Sequence, residues 1–232
     1  FFAAMVAAAL APDHRWQPAP YSRGPFTPRL MADVLVLAAH PQLEDSRVNR
    51  ALMDAAAALG AQHVTLRDLY ALYPDYVIDV DAEQAMLAQA RLIVWQHPIR
   101  WYGMPALMKL WLDEVLAFGW AYGPGGTALA GKDLWLVLST GGSQQAYRPG
   151  GYNRHFFDDS LPPYEQTAAL CGLRFLPPLV LHGAHRASEA ELGAHARLYT
   201  SRLASHPHWP EIADLEPAAA CEVPAEARPA GD

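Results

Sequence analysis

The sequence predicts an α/β domain with a doubly wound, five-stranded parallel sheet and helices on both of its faces. Short apolar runs alternate five times with longer helix-like segments. This alternation is typical of strands that are buried on both faces and joined by crossover helices. Three of the apolar runs end in polar or glycine-rich loops, and the carboxyl ends of parallel strands are where such sheets bind ligands.

The predicted elements follow one another in order along the chain. The strands are apolar runs over residues 33–40, 63–69, 91–98, 133–140 and 174–182. The stretches between them predict helices over residues 46–59, 82–90, 105–118, 158–171 and 188–205. Ser46 suits the cap of the first helix, Gly60 suits its end, and Pro105 suits the first turn of the third. Pro162 and Pro163 place the start of the fourth helix near or after them.

Two segments outside the alternating region differ from it in composition. Residues 1–30 open with the apolar run FFAAMVAAAL, which is too short to span a bilayer and has no basic residues before it. The last residues are rich in Pro, Ala and Glu. We therefore expect a loosely docked or disordered extension over residues 1–30, a folded domain over residues 31–205 and a tail over residues 206–232.

Composition narrows the class of function. The chain has 232 residues, enough for one sizeable core, and a formal net charge of −7. An acidic balance disfavours a general nucleic-acid binder and gives no attraction to anionic lipid. The two cysteines, Cys171 and Cys221, form no CxxC pair, which favours a reduced, cytoplasmic protein. Ten histidines are present, but without HExxH or a Cys/His cluster they predict no metal site.

The loop after the first predicted strand, residues 40–49, has features of a phosphate site. It contains neither GxGxxG nor GxxxxGK[ST], so a dinucleotide or Walker-type site loses most of its support. Ser46 lies at a predicted helix start, with Asn49 three residues on and His40 at the strand end. Such a helix start suits one phosphomonoester. The alternatives are that Ser46 is a plain cap and that the backbone satisfies His40.

The loop after the third predicted strand, residues 96–105, carries two adjacent aromatic residues, Trp101 and Tyr102. They can form an apolar wall against a planar ring, while backbone N–H groups meet the polar edge of the ring. The alternative is that both side chains simply cover the end of the sheet.

The loop after the fourth predicted strand has the sequence STGGS over residues 139–143. Gly141 and Gly142 let the backbone approach a ligand closely, although a turn that needs positive φ would also explain them. Tyr147 follows in a long polar loop that runs to about Arg154. Loops of this length in compact domains are often functional.

Over residues 33–204 the chain resembles the flavodoxin-like NAD(P)H:quinone oxidoreductases, and among them the ancillary subunits of glutathione-regulated potassium-efflux systems. The resemblance lies in AHPQLEDSRVN, DLYALYPDYVIDVDAEQ, LIVWQHPIRWYGMPALMKLWLDEVL, FGWAYGPGGTALAGKDLWLVLSTGG and CGLRFLPPLVLHG. It implies a flavodoxin-like fold, FMN as cofactor and NADPH or NADH as electron donor. It also implies two-electron transfer, as hydride to the flavin and then to a quinone.

The resemblance also assigns residues to the cofactor site. The positions that match flavin contacts of the family are His40, Ser46, Arg47, Val48, Asn49, Ile99, Arg100, Trp101, Tyr102, Ser139, Thr140, Gly141 and Gly142.

Several positions depart from the pattern of the family. Tyr147 matches a catalytic tyrosine of the animal quinone reductases, but Asn153 stands at the position of their catalytic histidine. Tyr147 is therefore the better candidate for the proton donor. Arg100 stands where glutamine is common. Its guanidinium would attract an NADPH phosphate or stabilise reduced flavin, unless it points to solvent.

The resemblance further implies a homodimer and a regulatory role at a potassium/proton antiporter, which would place the protein at the inner membrane through that partner. Residues 70–80 and 111–122 are rich in aromatic and apolar side chains and would leave an apolar surface on a monomer. The alternatives are a flavodoxin-type electron carrier and a regulatory flavoprotein without catalysis.

Overall fold

The computed structural model describes residues 33–215 and contains one sheet of five parallel strands. They are β1 (Val34–Ala38), β2 (Val64–Asp68), β3 (Leu92–Pro98), β4 (Asp133–Ser139) and β5 (Arg174–Leu181). Their order is β2-β1-β3-β4-β5, the flavodoxin-type order, so the predicted fold class is confirmed. The predicted extension over residues 1–30 lies outside the described residues.

The five predicted helices are present, and two short ones are added. They are α1 (Arg47–Ala57), α2 (Leu69–Leu72), α3 (Val80–Gln89), α4 (Ala106–Val115), α5 (Pro162–Leu170), α6 (Glu189–Ser205) and α7 (Pro210–Ala213). The side chains of Ser46, Asp79 and Ser188 cap the starts of α1, α3 and α6. In the part of the chain that the structure describes, none of the helices is long and apolar enough to cross a bilayer.

Alternate side chains along the strands fill two separate cores. Val36 and Val94 pack on one face of the sheet against α1 and α6. Leu37 and Trp95, each one residue further on, pack on the other face against α2 to α5. The period of two in a strand produces this division, and it explains why a central strand such as β1 is apolar at every position rather than alternating in polarity.

The edge strand β5 tolerates two prolines, Pro177 and Pro178, which lie within its bounds. A central strand would lose ladder hydrogen bonds at both positions, but an edge strand leaves one side unpaired. The register between β4 and β5 shifts between Trp135 and Val137. The indole Nε1–H of Trp135 donates to the Pro177 carbonyl at 3.1 Å and fixes the strands across this irregularity.

Sheet topology creates a crevice at the carboxyl end of the sheet. Strands β1 and β3 are neighbours, yet β1 is followed by α1 on one face and β3 by α4 on the other. Their loops therefore diverge, which leaves space above the sheet. The loops predicted to bind a ligand all lie at this carboxyl end of the sheet.

A buried carboxylate joins the edge strand β2 to helices α3 and α4. Glu83 on α3 is fully buried and accepts hydrogen bonds from Arg67 Nε at 2.9 Å, Tyr73 Oη at 2.5 Å and Trp111 Nε1 at 3.0 Å. Because buried charge is stable only when it is paired, these bonds fix β2, α3 and α4 relative to one another.

A second buried carboxylate joins the C-terminal segment to the sheet. Asp133, at the start of β4, is bound by Arg174 Nε and Nη2 at 2.7 and 2.9 Å and by His206 Nε2 at 2.7 Å. Trp209 is also buried. The packed chain thus continues beyond residue 205, where composition alone predicts a tail, and the part of that tail past residue 215 lies outside the described residues.

The two predicted apolar surfaces differ in how far they are exposed. Within residues 70–80, Tyr76 and Val77 are exposed by 46% and 71%. Residues 111–122 instead pack mostly inward, with Trp111 fully buried. Up to Val115 this follows from helix geometry, because apolar residues three and four apart on α4 share the face that meets the sheet, whereas Phe118, beyond the helix, is 40% exposed.

Asp133→Asn is expected to lower the free energy of unfolding by about 3 kcal/mol at pH 7, because it leaves Arg174 and His206 without their buried partner. Burial alone would raise the pKa of Asp133, but hydrogen bonds from His206 and Arg174 outweigh it and hold the pKa below its usual range. This stabilisation is therefore present above the unfolded-state pKa of about 3.9 and is lost as the pH falls through the folded-state value. Urea unfolding at pH 7 and at pH 3 measures both effects.

The matched control is Asp113→Asn, which removes an exposed carboxylate paired with Lys109 one helical turn away. Its effect should stay within about 0.5 kcal/mol. Equal losses in the two variants would contradict a structural role for the Asp133 junction.

Candidate functional site

A cavity of about 440 Å³ opens at the carboxyl end of the sheet. It is lined by the loops after β1, β3, β4 and β5 and by the start of α1. The lining residues are His40, Gln42, Asp45, Ser46, Arg47, Val48, Asn49, Pro98, Ile99, Arg100, Ser139, Thr140, Gly141, Ala184 and His185. Every predicted cofactor residue except Trp101, Tyr102 and Gly142 is in this set.

The start of α1 forms one end of the cavity, and this end is suited to binding an anion. Ser46 caps the helix, and its Oγ accepts the N–H of Asn49 at 3.1 Å. Within residues 33–215, the N–H groups of Arg47 and Val48 have no hydrogen-bond partner, and both residues line the cavity. Free N–H groups and the positive end of the helix dipole favour a single phosphate or carboxylate.

Charged side chains line the mouth of the cavity. Arg47 forms an ion pair with Glu189 of α6 at 2.5 Å, with both side chains substantially exposed. That pair holds its guanidinium toward α6, so Arg47 contributes its backbone N–H more directly than its charge. Arg100 lines the opposite side of the cavity and is exposed. Asp45 is the acidic residue of the lining.

His40 is a neutral hydrogen-bonding group at the end of β1. Its Nδ1 accepts the Gln42 N–H at 3.1 Å, which leaves the proton on Nε2. Burial, followed by the nearby charge of Arg100, lowers the pKa of His40 below its ordinary value. The imidazole therefore offers a donor to the cavity without adding charge at pH 7.

The loop after β3 has fewer free backbone donors than its sequence suggests. Pro98 has no N–H, and the N–H of Ile99 donates to the Ser139 carbonyl at 2.8 Å. These two residues therefore present side-chain surface and carbonyls to the cavity. The bond from Ile99 also holds the β3 and β4 loops together at the cavity floor.

Trp101 and Tyr102 occupy a tight turn that leads away from the cavity. Arg100 and Gly103 exchange backbone hydrogen bonds at 2.9 and 3.1 Å, and the two aromatic residues between them have φ of 48° and 64°. Left-handed backbone at non-glycine residues costs about 1–3 kcal/mol each. Trp101 is 95% exposed and Tyr102 56% exposed, so neither forms a wall of this cavity in the single chain.

The glycine pair after β4 is not required by an unusual backbone angle. Neither Gly141 nor Gly142 has positive φ. A Cβ on Gly142 would lie 2.6 Å from Tyr152 Oη and 3.2 Å from Tyr147 Cε2, so a larger side chain there would displace Tyr152, whereas a Cβ on Gly141 would meet only His185, at 3.7 Å. Among the described residues, the N–H groups of both glycines have no hydrogen-bond partner.

Tyr147 lies in a cluster of rings beside Thr140. Its ring centroid is 5.5 Å from those of Phe157 and His182. Thr140 Oγ1 donates to the Gly142 carbonyl at 2.7 Å and lies 3.1 Å from His182 Nδ1. Burial raises the pKa of Tyr147 and lowers the pKa of His182. The cluster therefore holds a protonated phenol and a neutral imidazole next to one hydroxyl of the cavity lining.

Sequence reasoning misses the contribution of β5 to this site. His182 directly follows β5, and His185 lines the cavity. The sequence carries a signal for both, since His182 ends the fifth predicted strand just as His40 ends the first, and His185 lies three residues further on. Lining residues absent from the prediction are Gln42, Asp45, Pro98, Ala184 and His185. Asn153 accepts a long hydrogen bond from Tyr102 Oη at 3.4 Å.

No group of three or more His, Cys, Asp or Glu side chains capable of holding a metal ion occurs within residues 33–215. Cys171 is a free, buried thiol, and burial raises its pKa to about 11. It is therefore an unreactive core residue.

Comparison with known proteins gives consistent matches. A family model described as the flavodoxin-like fold matches residues 32–203. The glutathione-regulated potassium-efflux system ancillary protein KefF of Citrobacter koseri is 47% identical over 170 residues, which cover 73% of this chain and 94% of that protein. The ancillary protein KefG of Yersinia enterocolitica is 46% identical over 172 residues, which cover 74% and 92%.

Solved structures share the fold under different names. General stress protein 14 of Treponema denticola, in complex with FMN, is 39% identical with a TM-score of 0.68 over 73% of this chain and 97% of its own. An NADPH-quinone reductase of P. pentosaceus is 28% identical, with a TM-score of 0.67 over 75% and 98%. A chain named as a thermophilic tryptophan halogenase from Streptomycin violaceusniger is 44% identical, with a TM-score of 0.70 over 74% and 99%.

Ser46→Ala is expected to abolish most of the stabilisation that inorganic phosphate gives the ligand-free protein. The change removes the hydroxyl at the anion-binding end of the cavity and also a helix cap, at a cost of about 1 kcal/mol. A ligand that binds only the native state raises the melting temperature, and the rise grows with the logarithm of ligand concentration over its dissociation constant. Thermal unfolding with and without phosphate measures the difference.

The control is Ser188→Ala, which removes the cap of α6 but does not touch the cavity. It should lose similar stability and keep the full response to phosphate. An undiminished phosphate response in Ser46→Ala would mean that this hydroxyl is only a cap.

Proposed function

The chain belongs to the family with the flavodoxin-like fold, and from this premise we propose that it is an FMN-dependent NAD(P)H:quinone oxidoreductase. The observation that carries the proposal is the cavity at the diverging loops of β1 and β3, with one anion-binding helix start. Similarity to an FMN complex and to an NADPH-quinone reductase supports the cofactor and the reaction. Because the similar solved structures carry different names, we base the proposed quinone reduction on the geometry of the cavity as well.

The described residues fit FMN better than a dinucleotide. Ser46 Oγ and the N–H groups of Arg47 and Val48 gather at one point, which suits one phosphate. Within residues 33–215 no second helix start lines the cavity to receive another phosphate. A polar strip from Asn49 to Ser139 separates this point from the β4 loop, where a ring can lie against Gly141.

FMN, when bound, supplies the hydride-transfer chemistry between the nicotinamide and the quinone. The residues of the protein bind the cofactor, stabilise the negative charge that develops beside them and donate a proton. The unpaired N–H groups of Gly141 and Gly142 favour negative charge that develops beside them. We assign Tyr147 as the proton donor, because burial keeps its phenol protonated at neutral pH and it lies beside Thr140, which lines the cavity, and His182.

The purified protein is expected to bind one FMN per chain and to be reduced anaerobically by NADPH or NADH. The absorbance spectrum, with mass identification of the released flavin, tests the cofactor. Reoxidation by a soluble benzoquinone tests the acceptor. A flavodoxin-type carrier would bind FMN but stay oxidised with either nucleotide, and absence of flavin binding would overturn the proposal.

Tyr147→Phe is expected to lower the turnover number for benzoquinone by about a hundredfold, the typical contribution of a positioned general acid. FMN content should be unchanged, because Phe removes only the hydroxyl and preserves the ring contacts of Tyr147 with Phe157 and His182. Steady-state kinetics across pH 6–9 measures the effect. Tyr122→Phe, outside the cavity lining, is the control, and equal losses in both variants would remove Tyr147 from the mechanism.

A second, compatible role is favoured by the curated relatives, which are named as ancillary proteins of potassium-efflux systems. We propose that the chain docks on the cytoplasmic side of a potassium/proton antiporter and is held at the inner membrane by that contact. Co-purification with the antiporter, together with potassium efflux measured with and without this protein, tests the role. No binding at micromolar concentration and unchanged efflux would exclude it.

We also propose that two copies form a homodimer. Exposed aromatic and apolar side chains surround the carboxyl end of the sheet and suit a two-fold contact. They are Leu72, Tyr76, Val77, Trp101, Tyr102, Tyr152 and Phe156. Sedimentation tests the assembly, and a monomer with full activity would contradict it.

A further inference from the structure

A chain of buried hydrogen bonds runs from α6 to the anion-binding end of the cavity. Tyr199 Oη donates to Gln96 Oε1 at 2.9 Å, and Gln96 Nε2 donates to the Asn49 carbonyl at 3.0 Å. Asn49 Nδ2 then lies 3.0 Å from Ser139 Oγ and 3.3 Å from Ser46 Oγ. Tyr199, Gln96 and Asn49 are all at most 2% exposed, so water does not compete for these bonds.

Donor and acceptor chemistry fixes the direction of each hydrogen bond in this network. A backbone carbonyl accepts only, so Gln96 must turn its amide nitrogen toward Asn49 and its oxygen toward Tyr199. Tyr199 must therefore donate. At the other end, Ser46 Oγ accepts from both the N–H and the Nδ2 of Asn49, which leaves its own proton free to be donated elsewhere.

We propose that Tyr199 is a positioning residue that, through Gln96, holds Asn49 in place, so that the Ser46 hydroxyl accepts from Asn49 and donates its own proton toward a phosphomonoester. The inference rests on the proposed FMN site and adds the residue that sets its preference for a phosphorylated ligand. A serine that donates to the cavity favours an anion over a neutral hydroxyl group. The buried chain holds that donor in place before the ligand arrives, which lowers the cost of binding.

The test variant is Tyr199→Phe. The ring of Tyr199 stacks on Trp135, with centroids 5.6 Å apart, and phenylalanine keeps that contact, so the fold should be preserved. The dissociation constants of FMN and riboflavin, which differ by one phosphate, are measured with ligand-free protein by quenching of flavin fluorescence. We expect FMN binding to weaken about tenfold, because a buried carbonyl loses its donor, and riboflavin binding to change less than twofold.

A double-mutant cycle separates positioning from general loosening of the site. In a Ser46→Ala background, Tyr199→Phe should weaken FMN binding less than twofold, because the hydroxyl on which it acts is absent. Gln96→Met removes both central bonds at similar volume and should reproduce the effect of Tyr199→Phe on FMN. An additive cycle, or equal weakening of FMN and riboflavin, would overturn the inference.

The matched control is Tyr164→Phe. Tyr164 is equally buried, on the opposite face of the sheet, and its hydroxyl has no hydrogen-bond partner within the described residues. Its removal should leave the ratio of FMN to riboflavin affinity unchanged. If the wild-type protein binds neither flavin, the proposed function fails. If it binds FMN and Tyr199→Phe leaves the ratio intact, this inference alone fails.

Discussion

The divergence of the chain after β1 and β3 is the constraint on which the site depends. These neighbouring strands send their following helices to opposite faces of the sheet, so no connection covers the carboxyl end between them. The helix start after β1 and the turn after β3 consequently face each other across open space. The sheet beneath the site is rigid, because its strands and both cores are buried and closely packed.

Local sequence patterns determined much of the fold, whereas features that depend on tertiary contact could not be predicted. The apolar runs located all five strands. Helix α3 begins at Val80, earlier than its composition indicated, because the Asp79 side chain accepts the Ala82 N–H. The position of β5 at the edge, which makes Pro177 tolerable, is a property of strand order that no local pattern contains.

The residues of the site likewise divide into those that a local sequence pattern predicts and those that only tertiary contacts bring together. Ser46 and Asn49 were predictable because a helix cap acts over three residues. Tyr199 belongs to α6, far along the chain, and only the assembled sheet brings it to the hydrogen-bond network behind Ser46. Aromatic residues in a loop do not reveal the direction of their side chains, so Trp101 looked like a wall of the cavity and instead points outward.

The strained turn at Trp101 and Tyr102 has a consequence for the evolution of this chain. Both residues hold backbone angles that glycine adopts without cost. Selection for thermal stability alone would replace them with glycine and would remove an indole and a phenol from the surface at the same time. A laboratory screen for heat resistance should therefore enrich glycine at these two positions, while a screen for a working partner surface should reject it.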